Sequence, residues 1–282
     1  MRKISAFRQI TSQIILVMIG LYVILPIWGM IRLAFDGSLI ARPTEFRWLP
    51  KVFSMDAFFK VLDKPYQSVN FMTLLQNSLF VSVGAALVSI ILGASLAYAF
   101  ARFRFPGRKP GLFLLLLTAL LPPIAFTTPL YIVLSILKIR TTLPGLTIVY
   151  AAFAMPFCIW NMRSAFQAIP KELEEAAFLD GAGNFATFYL ITLPLAIPSI
   201  AITALIAFLM AYSEFAIGWL FVEKPNTVTL AMSIYAMVQS GSAQPWSYLG
   251  SLVLIMSAPV VVIFLLLQRT LLDRMIFGFS ND

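Results

Sequence analysis

The side chains best suited to chemistry stand together in one stretch, Lys171-Glu172-Leu173-Glu174-Glu175-Ala176-Ala177-Phe178-Leu179-Asp180-Gly181-Ala182-Gly183. It holds four of the chain's 12 acidic residues. The chemistry open to them is narrow. There is no His in the sequence, which removes His-ligated metals and imidazole proton relays. The one Cys, Cys158, lies in an apolar run and offers no disulfide framework. No Gly-rich loop ending in Lys and Ser or Thr is present to cradle a phosphate. Convergent Asp, Ser or Cys groups for a membrane-embedded enzyme are missing as well. What remains for carboxylates at this spacing is charge offered to another macromolecule. A second candidate is Glu214, the only ionisable residue late in a predicted span, with Tyr212, Phe215 and Trp219 close by.

The acidic stretch reads as a short helix with defined ends. Pro170 suits a first helical position, and the glutamates of the first turns complement the positive end of the helix dipole. Gly181 can take positive φ and stop the helix. Asn184 is expected to cap a second helix with Phe185, Phe188 and Tyr189 on one face, before Leu193 and Pro194 lead onward. Leu173, Ala176, Ala177 and Asp180 fall at i, i+3, i+4 and i+7, a narrow face of mostly small residues. Two readings compete. An amphipathic helix resting on lipid headgroups is normally basic and bulky. This one is acidic and small, which favours a docking element for a cytosolic partner.

The elements that must position these residues follow from where charge is absent. The chain has 282 residues, 60% hydrophobic and 11% charged, with net charge +8 and mean hydropathy +0.91. Ordinary soluble chains are about 25% charged. Charge-free gaps run over 9–31, 65–101, 110–137, 141–162, 181–213 and 225–268. Each is long enough for the roughly 20 residues that cross a bilayer core. The expected fold is an all-α polytopic membrane protein with six transmembrane helices: 12–34, and 74–101, 112–137, 145–166, 195–222 and 247–267 within a domain over 72–269. A cytoplasmic N-terminus (1–11), an extracytoplasmic loop (35–71) and a cytoplasmic tail (270–282) complete it. Arg2, Lys3 and Arg8 precede the first run as in a secretory signal, but that run is longer than a signal core and lacks a clear cleavage site, so it reads as an uncleaved span.

Arg102, Arg104, Arg108 and Lys109 follow the second span without an acid, which places that loop inside by the positive-inside rule. Both termini then lie in the cytoplasm. The same rule accounts for the positive net charge without a nucleic-acid partner. Pro122, Pro123 and Pro129 predict a kinked third span. The uncharged segment 226–246 is too short in its apolar part to span and reads as an outer loop or re-entrant element.

The run Glu175, Ala176, Ala177, Asp180, Gly181, Ala182, then Phe188, Ile191, Leu193, Pro194 and Pro198 resembles the EAA loop of permease subunits in binding-protein-dependent ABC importers. Asn77 and Ser78, Ala97-Tyr98-Ala99 with Arg102, Phe105-Pro106-Gly107-Arg108, and Pro129-Leu130-Tyr131 resemble the carbohydrate-uptake branch, the maltose-transporter MalG class. The likeness covers about residues 50–270. It implies a type I ABC importer permease fold with EAA coupling helices between helices 4 and 5. It also implies pairing with a second homologous permease, two copies of an ATP-binding subunit seated on the loop, and an extracytoplasmic solute-binding protein delivering sugar. This chain would then hydrolyse nothing itself and hold no cofactor. In that setting Glu175 is the electrostatic contact, Ala176 and Ala177 the close-packing surface, Asp180 a polar anchor, and Gly181 with Ala182 the turn leading to Leu193 and Pro194. Two departures stand out. The end Arg274 to Asp282 lacks the family's Gly-rich tail, and Tyr212-Ser213-Glu214-Phe215 lacks the Trp-Asn that commonly precedes Glu-Phe.

For the substrate path, Glu214 should face the bundle, because a charge in lipid costs several kcal/mol. Aromatic faces with polar groups suit sugar rings, which makes Tyr212, Glu214, Phe215 and Trp219 a candidate contact set. Trp219 also reads as an interfacial anchor. Within the importer class another solute, glycerol phosphate or a polyamine, stays open. A secondary transporter would need more ionisable residues in the membrane than Glu214 alone.

Overall fold

The computed structural model describes residues 6–39, 42–239 and 245–278. Its twelve α-helices are α1 Ala6–Ala34, α2 Asp56–Asp63, α3 Phe71–Arg102, α4 Arg108–Leu120, α5 Thr127–Ile136, α6 Leu143–Ala168, α7 Lys171–Leu179, α8 Asn184–Thr187, α9 Leu193–Ser213, α10 Ala216–Phe221, α11 Leu230–Gln239 and α12 Trp246–Gly278. Among the described residues there is no β-strand beyond two isolated bridges. Five helical stretches are long and apolar enough to cross a membrane, and a sixth span is possible as a bent pair.

That bent pair is where the third predicted span departs from expectation. Instead of one kinked helix over 112–137, α4 ends at Leu120 and the chain turns by 102° before continuing through Pro123–Phe126 into α5. The cause is local. A residue before proline is pushed out of the α region, and Leu121-Pro122-Pro123 applies this twice. Leu121 (ψ 137°) and Pro122 (ψ 128°) are both extended.

The fifth predicted span, 195–222, is also interrupted. α9 stops at Ser213, Glu214 is extended, and α10 restarts at Ala216. The uncharged segment expected as loop or re-entrant piece contains α11, whose Leu230, Met232 and Ser233 are fully buried. Helix α12 continues to Gly278, so most of the expected tail over 270–282 is helical. The side chains of Arg269 and Arg274, and all of Phe279 to Asp282, lie outside the described residues, as do Arg2 and Lys3.

The chain divides into two compact units, one from the N-terminal side through Phe71 together with Ile234–Ala258, the other Met72–Ser233 together with the chain from Pro259. In the first, the segment after α1 is organised around Asp36, which is fully buried. Its carboxylate accepts from Ser38 Oγ (2.6 Å), Ser38 N (3.1 Å), Lys51 N (3.1 Å) and Arg32 Nη2 (3.2 Å). Phe35 stacks on Phe53 at 5.3 Å, and the end of α1 meets α12 where Gly250 leaves no room for a Cβ against Ala34.

In the second unit α6 is the centre, packed chiefly against α9. Its Ala151, Ala154, Cys158 and Met162 are buried. Small residues let α3 come close: Gly84 faces Thr147, Gly93 faces Met162, and Ser89 Oγ donates to Ala151 O at 3.1 Å. Asn77 Nδ2 donates to Asn226 O (2.7 Å) and Val228 O (2.9 Å), and Ser78 Oγ accepts from Leu230 N at 2.8 Å, so the start of α3 fixes the start of α11.

Candidate functional site

Helix α7 leaves the end of α6 through Ile169 and Pro170. Pro170 stands one position before the helix rather than at its first residue. The helix closes with a complete left-handed cap. Gly181 has φ +87°, Gly181 N donates to Phe178 O (3.1 Å) and Ala182 N donates to Ala177 O (2.9 Å). These two bonds make the Schellman pattern that satisfies the last carbonyls and turns the chain. The second helix is capped by Gly183, not by Asn184, which is its first helical residue and makes no side-chain cap bond. After one turn it widens into a π-helical stretch over Phe188–Thr192 and runs into α9.

One side of α7 is locked down. Glu174 is buried, and its Oε1 accepts from Arg102 Nε at 3.0 Å and from Thr192 Oγ1 at 2.7 Å. Arg102 also donates through Nη2 to Ile169 O at 2.8 Å. One guanidinium thus holds the last turn of α3, the exit of α6 and the middle of α7 together. Beside it Tyr98, Phe166 and Phe188 form an aromatic cluster with centroids 4.7 to 6.1 Å apart. Burying an ion pair costs desolvation, and it holds only when further hydrogen bonds satisfy the partners. Thr192 and the Ile169 carbonyl supply them.

The other side of α7 is bare. Glu175, Ala176, Asp180 and Gly181 are exposed, with Leu179 90% and Phe185 75% exposed. Ala182 and Leu193 are half-buried and Pro194 is exposed. Of the face expected from Leu173, Ala176, Ala177 and Asp180, Ala177 does not take part: it is buried, one turn from Glu174 on the inner side. The aromatic face also splits, since Phe188 is buried while Phe185 and Tyr189 are exposed. Sequence reasoning missed Glu174 and Arg102 as a pair. No local signal singles it out, because Glu174 stands among like carboxylates at Glu172 and Glu175 and its partner is 72 residues away.

Glu214 lies not within a helix but in the break after α9. Its Oε1 accepts from Ile217 N at 2.8 Å and its Oε2 from Gly218 N at 3.2 Å, which caps α10 in place of a Ser or Asp. It lines a largely apolar cavity of about 340 Å³ with Pro123, Tyr150, Phe153 and Met210. The other three expected members are not brought to that cavity. Tyr212 is buried and stacked on Phe208 at 5.2 Å, and Phe215 and Trp219 stand outside the lining. Tyr150, which the sequence did not single out, points its buried hydroxyl toward Glu214 and Gly218 without a completed hydrogen bond. Among the described residues no three His, Cys, Asp or Glu side chains come together as a metal set.

Membrane-length helices with a short acidic helix tethered across the ends of two of them define a polytopic membrane protein. Residues 68–277 match the family of the binding-protein-dependent transport system inner membrane component, and the chain belongs to that family. The maltodextrin transport system permease protein MdxG of Bacillus subtilis (strain 168) is 24% identical over 273 residues, 96% of this chain and 95% of that protein. The trehalose transport system permease protein SugB of Mycobacterium tuberculosis (strain CDC 1551 / Oshkosh) is 26% identical over 265 residues, 91% of this chain and 92% of that protein. The crystal structure of a bacterial ABC transporter involved in the import of the acidic polysaccharide alginate aligns with TM-score 0.74 at 20% identity, over 95% of this chain and 99% of that one. That likeness establishes the fold.

Proposed function

We propose that this chain is the permease half of an ATP-driven importer that moves a sugar or oligosaccharide across the cytoplasmic membrane by alternating access. It pairs with a second, related permease, receives solute from an extracytoplasmic binding protein, and is driven by two copies of an ATP-binding subunit that hydrolyse ATP. The sugar class rests on the relatives, whose names specify maltodextrin and trehalose. Both termini are read as cytoplasmic, which the basic loop from Arg102 to Lys109 supports.

The observation that carries the coupling reading is the two-sidedness of α7. Its inner side is fastened by Arg102, Glu174 and Thr192 to the ends of α3, α6 and the α9 approach, and its outer side presents Glu175, Ala176, Leu179 and Asp180 to solvent. A push on the outer side is therefore passed to three membrane helices through a buried charge pair. An ATPase groove that closes on α7 moves the permease in this way.

The test replaces Gly181 with Val in the assembled transporter in proteoliposomes. No atom lies within 4 Å of a Cβ there, so the damage is confined to a β-branched residue forced to positive φ. Expected are normal insertion and assembly, with oligosaccharide uptake lost while ATP hydrolysis no longer responds to loaded binding protein. Gly181→Asn, which tolerates the left-handed region, should keep most of both. Full uptake and full substrate-stimulated hydrolysis in the Val variant would overturn the coupling role.

A further inference from the structure

Within the N-terminal unit, α1 carries an unusual face. Leu21, Leu25, Trp28 and Arg32 lie at i, i+4, i+7 and i+11, one line along the helix, about 16 Å long at the α-helical rise. Its first three members, with Trp48 and Leu49, line an apolar groove of about 370 Å³. Trp28 Nε1 donates to Trp48 O at 2.9 Å and holds the far wall in place.

The fourth member, Arg32, opens a different cavity one turn further on. It measures about 300 Å³, and its charged lining is Arg32, Arg42, Arg47 and Lys51 against Asp36 and Glu45. Both acids are already committed, Asp36 to Arg32 at 3.2 Å and Glu45 to Arg47 at 2.9 Å. Arg42, lying over the Trp246 ring at 5.8 Å, and Lys51 have no carboxylate partner among the described residues. Arg32 is 93% buried, and its Nε has no acceptor. The cavity therefore carries an excess of two positive charges and a buried donor left open, and it adjoins an apolar groove on the same helix face.

We propose that this face holds one anionic phospholipid, its phosphate in the cationic cavity and an acyl chain along the groove. A diacyl lipid with a net negative headgroup satisfies both halves. A free oxyanion fits only the cavity, and a neutral zwitterionic lipid leaves the two excess charges unanswered. The tryptophans at the junction, Trp28 and Trp48, stand where ring amphipathy suits the headgroup level.

The test is native mass spectrometry of the assembled transporter, delipidated in detergent and offered phosphatidylglycerol, phosphatidylcholine or glycerol phosphate. Phosphatidylglycerol should be retained at least about tenfold more than phosphatidylcholine, as two surface cations predict, and glycerol phosphate should not be retained. Arg42→Gln with Lys51→Gln should level the two lipids, and Arg42→Lys with Lys51→Arg should restore the preference, separating charge from misfolding. Leu25→Asn should reduce retention of both lipids. Equal retention of the two lipids by the native chain, retention of glycerol phosphate as strong as that of phosphatidylglycerol, or an unchanged preference in the Gln double variant would each overturn the assignment. So would a groove already filled in the complex by the partner permease or a second copy of this chain.

Discussion

Two buried ion pairs do opposite work in this molecule. Arg32 and Asp36 are one helical turn apart, and the carboxylate gathers four donors from residues between 32 and 51, so the pair knits a local layer. Arg102 and Glu174 come from positions 72 residues apart and join the end of α3 to the middle of α7. Local pairs stiffen the segment they belong to. A long-range pair makes one helix follow another, and this difference is the reason to look for transmission at α7 and for anchorage at the end of α1.

The largest test of that contrast is Glu174→Ala. It leaves Arg102 buried with an unpaired charge, a loss of about 3 to 5 kcal/mol when one partner of a buried pair is removed. The transporter should show a sharply lower melting temperature, and α7 should become sensitive to limited proteolysis. Glu174→Leu combined with Arg102→Met should be more stable than either single variant, because both charges are gone. Uptake should stay lost in that double variant if the pair transmits motion. A double variant less stable than both singles would break the reading.

The local pair should fail in a different way, by titration. Burial pushes the Asp36 carboxyl up, but the hydrogen bonds from Ser38 Oγ, Lys51 N, Ser38 N and Arg32 outweigh it and bring its pKa down from 3.8 to about 2. A lowered carboxyl pKa gives stability that is complete above the unfolded value and is lost as pH falls through the folded one. The window is therefore from about 4 down to about 2, and the contribution is about 2 kcal/mol at 1.36 kcal/mol per unit. Thermal melts across that window should show the native chain losing this increment, and Asp36→Asn should flatten it. An acid slope unchanged by Asp36→Asn would remove Asp36 from the centre of that layer.

Much of the architecture is legible from charge alone. The six gaps locate the membrane-length stretches, and the short helix with its glycine stop is readable because Gly181 is needed at positive φ. Other features were hidden for physical reasons. The 102° turn depends on two consecutive prolines acting on the residues before them, whereas isolated prolines in a span usually kink it. Glu174 looks like its neighbours Glu172 and Glu175 in sequence, and only a partner 72 residues away decides that it turns inward. Glu214 read as a charge inside a span because hydropathy does not register a break that the carboxylate itself caps. Helix α11 falls in the segment read as an outer loop or re-entrant element, because a helix of ten residues is too short to cross a bilayer.

Thr192 sharpens the long-range pair further. Its hydroxyl gives the second bond to Glu174 Oε1 at 2.7 Å, from a residue at the π-helical widening. Thr192→Val keeps the shape and removes that donor. Hydrogen bonds to charged groups contribute about 1.5 to 3 kcal/mol, and because Arg102 remains on the same oxygen the lower end is expected. The melting temperature should fall by less than in Glu174→Ala. The informative outcome is uptake at a temperature where the variant is fully folded: a fall there places Thr192 in the transmission path, while unchanged uptake limits it to stability.

The smallest effect is predicted for a second long-range pair, Arg140 with Glu223, at 2.6 Å. By length of chain bridged it resembles Arg102 with Glu174, since 83 residues separate its members. It differs in solvent: the Glu223 side chain is 63% exposed. The hydrogen bond from Arg140 holds the Glu223 carboxyl below its usual range, yet water and salt screen an exposed pair. Glu223→Gln should leave melting temperature and uptake unchanged at physiological ionic strength, with any difference confined to low salt. A loss comparable to Glu174→Ala would mean that bridging distance, and not burial, gives a pair its force. The contrast between the two buried pairs would then have to be drawn from sequence separation alone.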